Sequence, residues 1–177
     1  MKASTDSFFY YINSTIDLSR QNENLGVLAS SLSLRGNFYG IIQQFAAGEK
    51  DIKAGLDTRK RIGDPFYIVN DLIGLSNFYI SQKQYKKGIE TAQEGITIAN
   101  NYGIKGEHLV LYKIIGMAYK AQGNYEQYSK TLEKMFLVAD SGYQINSADK
   151  IEDIQIKYEV QKKRNTYCKT KIGFITA

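Results

Sequence analysis

The chain has 177 residues, 43% of them hydrophobic and 23% charged, with a formal net charge of +5. This balance suits a folded chain with a core rather than a disordered one. A single cysteine, Cys168, excludes an internal disulfide and a cysteine-based zinc site. No run of about 18 apolar residues is present, so no membrane span is expected. Most of the charge lies in one place: residues 150–177 hold seven basic and three acidic side chains, which leaves the rest nearly neutral.

In chain order, the first predicted element is a helix over 6–22, "TDSFFYYINSTIDLS", with no long apolar leader ahead of it. The next stretch, 26–63, contains "NFYGIIQQFAAGEKDIKAG" from Asn37. Forty residues later, within 64–103, "NFYISQKQYKKGIETAQEG" begins at Asn77. The superposition sets Tyr39 over Tyr79, Phe45 over Tyr85, Gly48 over Gly88, Gly55 over Gly95 and Gly63 over Gly103. A third copy over 106–142 continues the step with Tyr119 and Tyr125. A fixed period of this length signals stacked supersecondary units, each unable to bury its apolar face alone.

Within a copy the pattern is helical. Leu72, Leu75 and Tyr79 recur at spacings of 3 and 4, as do Ile89, Ala92 and Ile96. The polar "SQKQ" between them predicts a helical hairpin. Asp64-Pro65 reads as an N-cap followed by Pro at the first helical position, and Gly63, Gly103 and Gly142 stand where helices should end. Glycines at recurring positions on the second helix predict close helix approach. Each costs about 0.5–1 kcal/mol relative to Ala in a helix interior. After the third copy, Ile151, Ile154 and Tyr158 predict a further helix over 146–165 that caps the array, with a poorly ordered tail over 166–177.

Read together, Tyr112, Ile115-Gly116, Tyr119 and Gly123-Asn124-Tyr125 resemble the tetratricopeptide repeat, in a long variant of about 40 residues. The resemblance covers residues 6 to 165. The third copy departs from it with Tyr128 and Met135 at small positions, and the first with Arg35 at an apolar one. It implies an all-α, right-handed superhelical solenoid of antiparallel hairpins, with three full repeats, an N-terminal half-repeat and a C-terminal capping or connecting helix, in one domain over 1–165. "DIQIKYEVQKK" resembles the segment that follows such repeats in bacterial sensor histidine kinases and helix-turn-helix regulators.

The resemblance also implies a concave groove lined by the first helices. Asn37, Asn77 and Met117 are expected to face it, flanked by Ser33, Ile73 and Lys113 and by Gly40, Ile80 and Lys120. Paired Asn side chains can satisfy the N–H and C=O of a peptide backbone, so a protein or peptide ligand is expected. Tyr39, Tyr79, Tyr119, Phe45, Tyr85 and Tyr125 are read as structural ladder positions.

Catalysis requires convergent nucleophiles, bases or metal ligands. His108 is the only histidine and Cys168 lies 60 residues away; phosphate-cradling glycine motifs are absent. A non-catalytic binding domain, with no cofactor and no metal, is therefore expected, serving as the sensory or regulatory part of a bacterial signalling or transcriptional system. The alternative is a scaffold that self-associates, as a homodimer, through its array end or C-terminal helix. The basic run "KYEVQKKRN" lacks a nucleic-acid reading motif. The chain is expected to be cytoplasmic as written, or periplasmic if a leader has been removed.

Overall fold

The structure, a computed structural model, describes residues 2–139. Of these, 2–135 belong to one compact unit and 136–139 fall outside it. The predicted helix over 146–165, Gly142, Cys168 and the tail lie outside the described residues.

Every described element is helical: α1 (Lys2–Gln21), α2 (Leu25–Ile41), α3 (Phe45–Ile62), α4 (Pro65–Ser81), α5 (Tyr85–Asn101) and α6 (His108–Ala121), followed by helical residues 125–139, here α7. Short local signals set these limits. Asn24 caps α2, its side chain accepting from the Val27 N–H at 3.1 Å. Asp64 caps α4 through the N–H groups of Phe66 and Tyr67, with Pro65 in the first turn.

The repeat is written into the backbone as well as the side chains. Positive φ occurs at Glu23, Gln43, Gly63, Lys83, Gly103 and Gly123, one at every twentieth residue. Each marks a left-handed turn that ends one helix and starts the next. In the three hairpin turns the N–H of Gln44, Gln84 and Asn124 donates to the carbonyl of Tyr39, Tyr79 and Tyr119, at 2.8, 2.9 and 2.9 Å. The underlying step is thus 20 residues, one helix and its turn, and two steps make the 40-residue unit.

Consecutive helices pack against each other throughout α1 to α6. In addition α2 touches α4 and α4 touches α6, whereas α1, α3 and α5 make no such mutual contacts. The first helices of successive hairpins therefore form the tighter layer. Three apolar clusters bind the layers: Ile12, Ile16 and Leu32; then Ile52, Leu56, Leu72, Leu75, Phe78 and Tyr79; then Val69, Ile89, Ala92, Ala99, Leu111, Ile114, Ile115 and Ala118.

Close approach within hairpins follows the small residues. A methyl group on Gly36 would lie 2.6 Å from Ile52 Cγ1 and 2.7 Å from the Gly48 carbonyl oxygen. The equivalent pair in the next hairpin is Ser76 and Gly88, where the Ser76 hydroxyl donates to the Gly88 carbonyl at 2.6 Å. In the third hairpin the pair becomes Gly116 and Tyr128, and the space left by one side is filled by the other. This accounts for the aromatic residue at a small-residue position.

Arg35 also has a partner suited to its place. Its Nε and Nη2 donate to Asp51 at 2.6 and 2.9 Å, and Nη1 donates to Asn13 Oδ1 at 2.6 Å, so one guanidinium joins α2 to α3 and α1. The hydrogen bonds and charge of Asp51 hold the guanidinium above its ordinary pKa, against the opposing effect of burial. Arg59 plays a similar part between hairpins. It reaches Asp71 on α4 at 3.3 Å and Ser30 on α2 at 2.8 Å, and it lies 4.7 Å from the centre of the Tyr67 ring.

Candidate groove on the first-helix layer

The first helices α2 and α4 are almost uncharged, whereas α6 carries Lys113 and Lys120. Arg35 is the only charged residue of α2 and Asp71 the only one of α4, and both are committed to ion pairs, with Asp51 and Arg59 respectively. What α2 leaves exposed is a stripe of Val27, Ser30, Leu34, Asn37 and Ile41, at alternating spacings of 3 and 4. On a helix of 3.6 residues per turn such a set forms one continuous face. Ile41 is 76% exposed, which marks this face as open rather than core.

The equivalent positions on α4 are Tyr67, Asn70, Gly74, Asn77 and Ser81. On α6 they begin with Val110, Ile114 and Met117, of which Ile114 is buried. The face shared by α2 and α4 therefore interleaves apolar Val27, Leu34, Ile41 and Tyr67 with the polar side chains of Ser30, Asn37, Asn70, Asn77 and Ser81, and has no free charge. Its physical capacity is to cover apolar side chains of a ligand while the amides bond to a backbone.

The sequence-predicted residues divide in two. Asn37, Asn77, Lys113, Met117 and Lys120 are exposed. Ser33, Ile73 and Ile80 are turned toward packing. The Ser33 hydroxyl is buried without a hydrogen-bond partner, close against Gly55. Ile73 and Ile80 pack on the apolar cluster of the second and third hairpins, Ile80 lying directly over Gly88. Gly40 occupies the same position as Ile80 and faces Phe78. Lys120, at that position in the third hairpin, lies 5.8 Å from the centre of the Tyr128 ring. Val27, Leu34, Ile41 and Tyr67 are exposed on this face and were not among the residues expected there. The signal that finds them is the residue across the hairpin: a side chain opposite a glycine is used in packing, so the free face lies on the other flank of Asn37.

The ladder aromatics are also placed. Tyr79 is buried, and its hydroxyl donates to Glu49 at 2.8 Å. Glu49 in turn accepts from Lys53 at 2.7 Å and lies 3.9 Å from Lys87. Tyr39 is half-buried beside Phe9, their ring centres 5.0 Å apart, and Phe8 stacks on Phe38 at 4.0 Å. Tyr119 and Tyr85 pack partly buried on the third cluster. Phe45 and Tyr125 are exposed.

His108, the first residue of α6, bonds through Nε2 to Asn100 Oδ1 at 2.8 Å. Among the described residues no three His, Cys, Asp or Glu side chains gather where they could hold a metal ion. No helix among them is long and apolar enough to cross a membrane. Compared with protein-family models and with curated proteins, the chain matches none.

Proposed function

We propose that the chain is a non-catalytic, tetratricopeptide-type binding domain that holds a polypeptide segment on the face of α2, α4 and α6. In this reading that face is the concave side of a helical array. The observation that carries the reading is the pair Asn37 and Asn77, 40 residues apart, both exposed on the layer where first helices touch. Two amides in series can hold the backbone of a segment crossing that layer, while Val27, Leu34, Ile41 and Tyr67 cover its apolar side chains. Lys113 stands exposed at the α6 end and would favour an acidic group there. As part of a bacterial signalling or transcriptional system, the domain would bias an output elsewhere by favouring one arrangement of its helices.

Selection of a displayed random-peptide library against the chain tests the proposal. Sequences enriched on the native chain are expected to bind at least ten-fold more weakly to Asn37→Ala/Asn77→Ala, which alters two exposed side chains and leaves the fold intact. Equal binding to both proteins would overturn the assignment of the groove.

A further inference from the structure

One side of α1, equivalent to the side of α3 that faces α2, is exposed. In the first complete hairpin α2 runs antiparallel to α3 and covers Asp51 and Thr58, which are 8% and 7% exposed. The 40-residue step places Tyr11 and Leu18 of α1 at the same two positions. They are 69% and 56% exposed. Thus α1 presents the side of a second helix that a first helix covers elsewhere, and it does so with large apolar residues.

The small residues between them are satisfied within the helix. The Ser14 and Thr15 hydroxyls donate to the carbonyls of Tyr10 and Tyr11, each at 2.9 Å. They ask for no polar partner, and none of Tyr10, Tyr11, Ser14, Thr15 and Leu18 carries a charge. The cover this face requires is a helix that runs antiparallel to α1 and brings no charge. A helix that is small where Ser14 and Thr15 lie and large to either side can approach closely there, as α2 does with Ala29 and Ser33 over Gly55, the position equivalent to Thr15. α1 itself meets that specification.

We propose that the α1 face is a self-association surface, on which α1 of a second copy docks antiparallel about a two-fold axis near Ser14 and Thr15. The small side chains then meet at the crossing, and Tyr11 of one copy interleaves with Leu18 of the other. A parallel pairing would instead set Tyr11 against Tyr11 and Asp17 level with Asp17. A helix of 20 residues is about 30 Å long and ~10–12 Å across. The face accordingly buries on the order of 400 Å² per copy, under the ~800 Å² of a standard interface. The dimer is weak and forms with rising concentration.

Sedimentation velocity of the full chain over a concentration series is the test. The mass is expected to rise toward twice that of one chain, and Tyr11→Asp/Leu18→Asp, both exposed changes, is expected to stay monomeric with an unaltered helical spectrum. Orientation is read by cross-linking in a Cys168→Ser background. Ser14→Cys lies near the two-fold axis and is expected to form a disulfide-linked dimer. Gln21→Cys, about 20 Å from its counterpart, is not. Three results would overturn the proposal: a monomer at every concentration, a dimer that survives the double substitution, or cross-linking of Gln21→Cys as readily as Ser14→Cys.

Discussion

Arg35 and Asp51 form a two-pronged ion pair at the positions where the next hairpin has Leu75 and Thr91 and the third has Ile115 and Thr131. One hairpin thus fills with charge a slot that its neighbours fill with an apolar and a small polar residue. The pair is mostly buried, its side chains 19% and 11% exposed. Removing one partner from such a pair strands a charge, while replacing both is often neutral or better. Asp51→Thr alone is expected to cost about 3 kcal/mol. Arg35→Leu/Asp51→Thr, which copies the second hairpin into the first, is expected to fall within about 1 kcal/mol of the native chain. Urea unfolding of the native, single and double variants measures both, and additive losses would refute this account.

Gly36 and Gly116 occupy one repeat position and should respond in opposite ways to the same substitution. At Gly36 an added methyl meets backbone, the Gly48 carbonyl oxygen at 2.7 Å and the Ile52 nitrogen at 2.9 Å. Backbone cannot turn aside as a side chain can, so Gly36→Ala is expected to cost about 2–3 kcal/mol. At Gly116 the nearest atoms are those of Tyr128 and Thr131 at 3.5–3.6 Å, an ordinary contact. There the helical preference of Ala prevails, and Gly116→Ala is expected to stabilise by about 0.5–1 kcal/mol. Thermal and urea melts of the two variants decide it.

The contrast between those glycines also explains what the sequence could and could not reveal. The 40-residue period, the hairpin limits at Gly63 and Asp64 and the small positions of α3 and α5 were legible, because each rests on a local rule that a short stretch satisfies alone. The ion pair of Arg35 with Asp51 was not, since the two residues are 16 apart and neither signals the other. The same holds for Tyr128, whose fit depends on Gly116 across the hairpin. For the candidate groove, the outward place of Asn37 and Asn77 was expected from the family resemblance, two residues before each ladder tyrosine, and both are exposed. Which flank of them is free depends on how far the hairpin partner wraps round, and α3 and α5 wrap far because of Gly48, Gly55 and Gly88. Nothing on α2 or α4 alone records that.

Glu49 and Asp71 should give opposite pH dependences. The hydrogen bond from Lys53, with that from the Tyr79 hydroxyl, holds Glu49 below its ordinary 4.5 against the effect of burial. The unfolded chain therefore takes up this proton first, and stability from the cluster is complete above about 4.5 and lost as pH falls through the folded value. Burial pushes Asp71 above its ordinary 3.8, and Arg59 only partly opposes it. Here the folded chain binds the proton first, so the contribution is greatest below 3.8 and lost as pH rises through the raised folded value. Urea midpoints measured from neutral to acid pH should show the advantage of the native chain over Glu49→Gln shrinking on acidification. Relative to Asp71→Asn, the native chain should gain. The reverse trend in either comparison would show that the named contacts do not set these protonation equilibria.

The turns offer the last and simplest test of the 20-residue step. Gln43 and Lys83 hold φ of 62°, in the region that Gly63, Gly103 and Gly123 adopt at equivalent turns. For a residue with a side chain this conformation costs about 1–2 kcal/mol. Glycine removes that cost but adds about 0.5–1 kcal/mol of chain entropy lost on folding. Lys83→Gly is therefore expected to stabilise by up to about 1 kcal/mol, and Gln43→Gly by a similar amount. The two sites lie in different hairpin turns, so the gains should add in the double variant. Gly123→Ala, the change in the other direction, should cost about 1 kcal/mol. Unfolding midpoints of these four variants check the pattern. A loss of stability in Lys83→Gly would mean that the left-handed turn is not what limits this position.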